Sequence, residues 1–268
     1  MIRLPEKDLP EAARRRLASW QSDVDALTSH AERVREARLR FRQRNTSRNA
    51  TFVVVRQRLT DLCSGARRCG YCEDSGVDEI DHIWPKDLYP EQVFAWRNFL
   101  YACGGCNVAK RDAFAVFPGR ARSLLEVGRT HRDVMRPPPA GVPGLIDPRG
   151  EDPMELLGLD LLGTFRILPL GKKGTRGYAR AAYSLRVLQL NREVLTVARR
   201  EAFFSYRARL AEYVSLKERD ASAKDLALRV QAIQRASHPT VWREMQRMQK
   251  HLPQLRALFR KAPEALAW

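Results

Sequence analysis

The chain has 268 residues, 44% hydrophobic and 8% aromatic, a composition that excludes a wholly disordered protein. Its 48 Lys and Arg against 31 Asp and Glu leave a formal charge of +17, so a polyanion, with nucleic acid first in line, is the expected partner class. No window approaches the roughly 18 uninterrupted apolar residues of a membrane span, and residues 1–20 lack the apolar core of a secretory signal. The expectation is a cytoplasmic protein with no membrane partner.

Residues 11–44 contain few breakers, and the spacing of Leu17, Trp20, Val24 and Leu27, then Val34, Leu39 and Phe41, predicts one or two amphipathic helices. The far end is strongly basic, with Arg33, Arg35, Arg38, Arg40, Arg42 and Arg44. Such a run reads first as a solvated helix face and second as a surface that tracks phosphates. The apolar run of residues 51–62 fits helix or strand by periodicity and is taken as helix. Residues 63–117 alternate glycine, cysteine and short apolar pieces, which predicts short strands, a long loop and one helix. Pro137, Pro138, Pro139, Pro143, Pro148 and Pro153 then exclude continuous helix over residues 134–153. A hairpin is predicted from residues 164–170, a glycine-bracketed turn at 171–177 and a second segment near 178–185. Residues 191–261 read as helices broken near Ser222 and at His238-Pro239.

The predicted fold class is α+β, mainly helical, in four regions: basic helices over 1–62, a cysteine-rich module over 63–133, a proline-rich connector over 134–153, and a hairpin plus helices over 154–268. Residues 1–60 carry a net charge of +7 and residues 178–268 a net charge of +10, so both flanks of the module are basic.

All five cysteines lie between Cys63 and Cys106, a clustering that points to metal binding in a reducing compartment. Cys69 and Cys72, then Cys103 and Cys106, form two C-x2-C knuckles thirty residues apart. Two residues between cysteines let both thiolates reach one tetrahedral ion, and two knuckles complete the four-sulfur shell of structural Zn²⁺. A redox pair or plain buried thiols would not call for the second knuckle. Cys63 lies outside the pattern and is expected to be a small buried residue. A closed four-sulfur shell has no open position, so chemistry has to come from other residues.

Those residues are Glu79-Ile80-Asp81-His82-Ile83 with Pro85-Lys86, then Asn98-Phe99-Leu100-Tyr101-Ala102 before the second knuckle, and Asn107 with Lys110 and Asp112 after it. Together with Cys-Gly-Tyr-Cys-Glu at 69–73, this text resembles the HNH endonucleases that carry a zinc-stapled ββα-metal finger. The resemblance covers residues 69–112. It implies that Asp81 and Asn107 hold one catalytic Mg²⁺ or Mn²⁺, that His82 is the general base, and that Asn98 orients its imidazole. The Gly-Gly common after the Asp-His strand is replaced here by Asp87-Leu88-Tyr89-Pro90. Lys110 and Arg111, one helical turn beyond the knuckle, are candidates for phosphate contact.

Further along, Leu145-Ile146-Asp147-Pro148, Glu151-Asp152-Pro153 and Leu190-Asn191-Arg192, with Leu195 and Arg199, look like the C-terminal part of the PtuB-like HNH effectors of Septu and retron-associated anti-phage systems. That likeness implies an ABC-type ATPase partner. The expected activity is hydrolysis of DNA phosphodiesters to 5′-phosphate and 3′-hydroxyl ends. The alternatives are a zinc-ribbon nucleic-acid-binding module without cleavage, or the same nuclease acting on RNA.

Overall fold

The computed structural model describes residues 1–74, 76–77, 79–128 and 135–268. The expected boundary between module and connector at 133/134 lies outside the described residues. The described residues are mainly helical, with short strands between an N-terminal and a C-terminal set of helices.

Three helices open the chain, α1 (Glu11–Asp25), α2 (His30–Arg44) and α3 (Ala50–Asp61). The predicted amphipathic stretch is two helices because Ser29 starts a new one: its hydroxyl accepts from the Glu32 amide while the Glu32 carboxylate accepts from the Ser29 amide. Asn49 caps α3 in the same way, through the amides of Thr51 and Phe52. Trp20, Phe41 and Phe52 of these helices pack with Phe94 and Phe99 in an aromatic cluster.

Strands β1 (Glu79–His82) and β2 (Phe99–Ala102) pair antiparallel, with Asp81 opposite Leu100 and His82 opposite Phe99. Helix α4 (Gly104–Lys110) follows directly. A three-stranded sheet comes next, with β3 (Ala115–Phe117) between β4 (Leu125–Glu126) and β5 (Val142–Pro143). The proline-rich stretch thus contributes an edge strand, the position a sheet tolerates for proline.

The predicted hairpin pairs differently. Strand β7 (Ile167–Pro169) pairs with the preceding β6 (Leu157–Leu159), and the segment near 178–185 belongs to helix α5 (Arg176–Val187). Thr175 caps that helix by accepting from the Tyr178 amide, and Ala181, Ser184 and Val187 recur at helical spacing on its buried side. The glycine-bracketed turn leads into a cap rather than into a second strand.

Helices α6 (Glu193–Glu218), α7 (Ala223–Gln234), α8 (Pro239–Met248) and α9 (Pro253–Lys261) complete the chain, with the breaks at Ser222 and at His238-Pro239 where the sequence predicts them. One apolar core runs continuously from Leu9 and Leu17 through Phe99 and Tyr101 to Leu210, Met245 and Phe259. No helix among the described residues is long and apolar enough to cross a membrane.

Candidate metal centre and active-site cleft

The sulfurs of Cys69, Cys72, Cys103 and Cys106 all lie within 4.8 Å of one another, and Cys72 Sγ is 3.6 Å from Cys103 Sγ. A tetrahedral ion with metal–sulfur bonds of about 2.3 Å requires sulfur edges of about 3.8 Å, so the donor set fits Zn²⁺. The fold makes the cluster by bringing the first knuckle onto the end of the hairpin. The Gly70 amide donates to the Tyr101 carbonyl at 2.8 Å, and the second knuckle runs from Ala102 into α4. Burial pushes the Cys69 thiol up, whereas donation from its crowded neighbours, Cys106 first, pulls Cys103 far below the usual thiol range. Binding of an ion removes this conflict by deprotonating all four. Cys63 stands apart, half-buried, with its thiol donating to the Leu59 carbonyl at 3.3 Å.

A cleft of about 780 Å³ opens beside this centre, and Asp81, His82, Asn107 and Arg111 line it together with Arg38, Lys86 and Asp112. The β1–β2 pairing and α4 bring Asp81, His82, Asn107 and Arg111, separated by up to thirty positions in sequence, to this cleft, and Arg38 reaches it from α2. Asp81 is nearly buried. Its Oδ2 accepts from Tyr71 Oη at 2.7 Å and lies 3.1 Å from Lys110 Nζ. Asn107 donates through Nδ2 to Glu79 Oε2 at 2.5 Å.

His82 is buried between Phe41 and Phe99, with ring centroids 4.4 and 5.3 Å away. Its Nε2 lies 2.9 Å from the Val93 carbonyl, which can only accept, so Nε2 carries the proton and Nδ1 of the neutral ring holds the lone pair. Burial and the nearby Lys86 ammonium hold its pKa down at about 3.

Two expected roles change on this geometry. Asn98 does not bond the imidazole: its Oδ1 accepts from the Trp84 amide at 2.7 Å, and its Nδ2 donates to the carbonyls of Trp84 at 3.0 Å and Gln92 at 2.9 Å. It closes the loop whose next residue, Val93, holds His82. Lys110 is fully buried, and Nζ donates to the His82 carbonyl at 2.7 Å besides pairing with Asp81. It therefore neutralises the Asp81 carboxylate and is not a surface phosphate contact. Arg111 is exposed on the cleft, in a left-handed backbone conformation at φ 48°.

Several residues of the site were given no individual role by the sequence reading. Glu79 lies two positions before Asp81, hence on the same face of β1, and the period of a strand signals it. Lys86 and Arg38 reach the cleft, and Arg38 also forms a bidentate pair with Asp87 at 2.8 and 2.6 Å, which holds the guanidinium charged. Arg38 comes from the basic run of α2. Tyr71 and Phe41 left no signal beyond being apolar or aromatic.

The segment that carries the second likeness is held in the fold by polar contacts. Ile146 donates its amide to Ser184 Oγ, Asp147 caps the following turn through the Arg149 amide, and Glu151 pairs with Arg180. The Arg149 guanidinium stacks 4.2 Å over Trp96 and donates to the Phe99 carbonyl at 2.9 Å, which ties this segment to the start of β2.

No family model matches the chain. A stretch of 48 residues, 16% of this chain, is 44% identical to the Septu protein PtuB of Bacillus thuringiensis. The match spans 19% of that protein, so the chain matches about a fifth of its relative's length. The likeness is local, and it joins a mainly helical fold with a four-cysteine cluster able to hold a metal such as zinc.

Proposed function

We propose that the chain is a metal-dependent HNH endonuclease that hydrolyses DNA phosphodiester bonds as the effector of an anti-phage defence complex. The observation that carries this reading is the convergence of Asp81, His82 and Asn107 on one open cleft rimmed by Arg38, Lys86 and Arg111. The succession β1, β2, α4, with one cysteine knuckle before β1 and the other at the β2–α4 junction, supports the finger architecture, and the local likeness to a Septu protein supports the defence setting. An ATPase partner belongs to the same proposal.

A carboxylate and a carboxamide oxygen on one cleft fit a hard cation such as Mg²⁺ or Mn²⁺, which Asp81 and Asn107 would hold. Bound there, it supplies stabilisation of the phosphorane charge and of the departing 3′ oxygen. The remaining work belongs to the chain. Nδ1 of neutral His82 takes a proton from the attacking water, and the Val93 carbonyl fixes the tautomer that leaves Nδ1 free of hydrogen. Asn98 holds the loop that presents that carbonyl. Glu79 orients the Asn107 amide by accepting from its NH₂, which turns Oδ1 away from Glu79. Arg111 and Lys86 bind backbone phosphates, giving affinity with little sequence reading.

The test is cleavage of supercoiled plasmid at low salt by wild type and His82→Ala, with Mg²⁺ or Mn²⁺ against EDTA, beside a matched RNA. Nicking or linearisation by wild type alone, lost in EDTA, is expected. Cutting that survives either change would sink the assignment, and exclusive cutting of RNA would move the substrate. One observation favours a second reading, a nucleic-acid-binding module without cleavage: both oxygens of Asp81 are engaged, by Tyr71 and Lys110. Retarded DNA mobility with no strand breaks in any metal, even with the ATPase partner present, would support it.

A further inference from the structure

A metal dication in a shell of four thiolates carries a net charge of −2, and Cys69, Cys72 and Cys106 are buried. A buried excess of charge is costly without a counter-charge or hydrogen-bond donors. Arg192 supplies both. Its Nη1 lies 3.6 Å from Cys106 Sγ, and its Nη2 lies 3.8 Å from Cys72 Sγ, 3.6 Å from Cys103 Sγ and 3.7 Å from Cys106 Sγ. One guanidinium thus faces three of the four sulfurs.

The surroundings hold it there. Nη1 also donates to the carbonyls of Leu188 at 3.4 Å and Gln189 at 3.3 Å. The neighbouring Asn191 clamps Ile167, accepting from its amide and donating to its carbonyl, both at 2.7 Å. Arg199 fixes the turn from below by donating to the Leu190 carbonyl at 2.7 Å. The second knuckle leaves space for the guanidinium because residue 105 is glycine: a Cβ there would stand 3.1 Å from Arg192 Nη2 and 3.3 Å from Cζ.

We propose that Arg192 is the charge-compensating cap of the four-cysteine metal centre, a positioning residue that donates N–H···S bonds to three thiolates and joins the α5–α6 turn to the knuckles. The inference rests on the zinc reading of the cysteines and is independent of whether the cleft cuts nucleic acid.

The full chain is reconstituted with Zn²⁺, its metal content measured, and the rate of zinc transfer to an excess of chromogenic chelator compared among wild type, Arg192→Met and Arg192→Lys. Wild type should hold one zinc, Arg192→Met should release it about 10–100-fold faster, and Arg192→Lys should fall between. Backbone amide exchange across residues 186–195 of wild type should rise when the metal is withdrawn. A folded Arg192→Met that releases zinc at the wild-type rate overturns the proposal. If that variant does not fold, Arg192→Gln, which keeps N–H donors but removes the charge, is read in its place, and wild-type release by it has the same force. A reconstituted wild type without metal overturns the cap and the metal centre together.

Discussion

Asp81 is held by two buried neighbours. Tyr71 and Lys110 keep its carboxylate anchored, and the Lys110 ammonium leaves water entirely to do so. Removing one partner of a buried ion pair strands the other, at a cost of about 3–5 kcal/mol. Lys110→Ala should therefore lower unfolding stability by about that amount in urea titration, whereas a surface phosphate contact would leave it within about 0.5 kcal/mol. Arg111 makes the converse case. Its positive φ costs a non-glycine residue on the order of 1 kcal/mol, so Arg111→Gly should stabilise the fold slightly while weakening DNA binding in a gel-shift titration. His82 gives a pH signature. Burial takes it from its ordinary 6.5 to about 3, so the unfolded chain binds its proton first as pH falls. Stability contributed by the neutral ring is complete above 6.5 and is lost between 6.5 and 3, on the order of 1 kcal/mol per pH unit. His82→Gln should flatten that slope in thermal melts taken across the window.

At the scale of elements, the site depends on how closely the first knuckle approaches β2. A Cβ on Gly70 would stand 2.3 Å from Leu100 Cδ1, inside a fully packed hairpin. Gly70→Ala should therefore displace the knuckle, cost about 1–3 kcal/mol and speed zinc loss, both readable in a melt with and without chelator. The same scale explains the misplaced hairpin. Residues 178–185 are preceded by glycines as a strand after a turn would be, yet Thr175 offers a helix cap, and the buried positions of the segment repeat every three to four residues. Period, together with the cap, outweighs the glycine signal.

Across the molecule, the charge of +17 and the cleft cations predict binding that weakens steeply with salt. Plotting the logarithm of DNA affinity against the logarithm of salt should give a line whose slope falls by about 1 when Arg111 is neutralised. The continuous core carries a different expectation. Knuckles, N-terminal helices and C-terminal helices share one apolar interior, and Arg192 bridges the sulfurs to the α5–α6 turn. Chelation should move a single melting transition downward and should not release the cysteine module alone; two separated transitions would contradict a shared core.

Much was legible without coordinates. Cysteine spacing predicts the four-sulfur cluster, apolar period and breakers predict the helices at both ends, and a resemblance points to Asp81, His82 and Asn107 as partners. These are local properties, written in residue type and interval, and the chain realises them wherever it folds. Only the tertiary structure decided what those residues touch. Lys110 turns inward to Asp81 because α4 lies over β1, Asn98 serves a loop and not a ring because β2 starts beneath Trp84, and Arg192 meets sulfurs 86 and more positions away. Such contacts arise from the packing of distant segments, where burial decides which charges must be paired and no interval in the sequence records the partner.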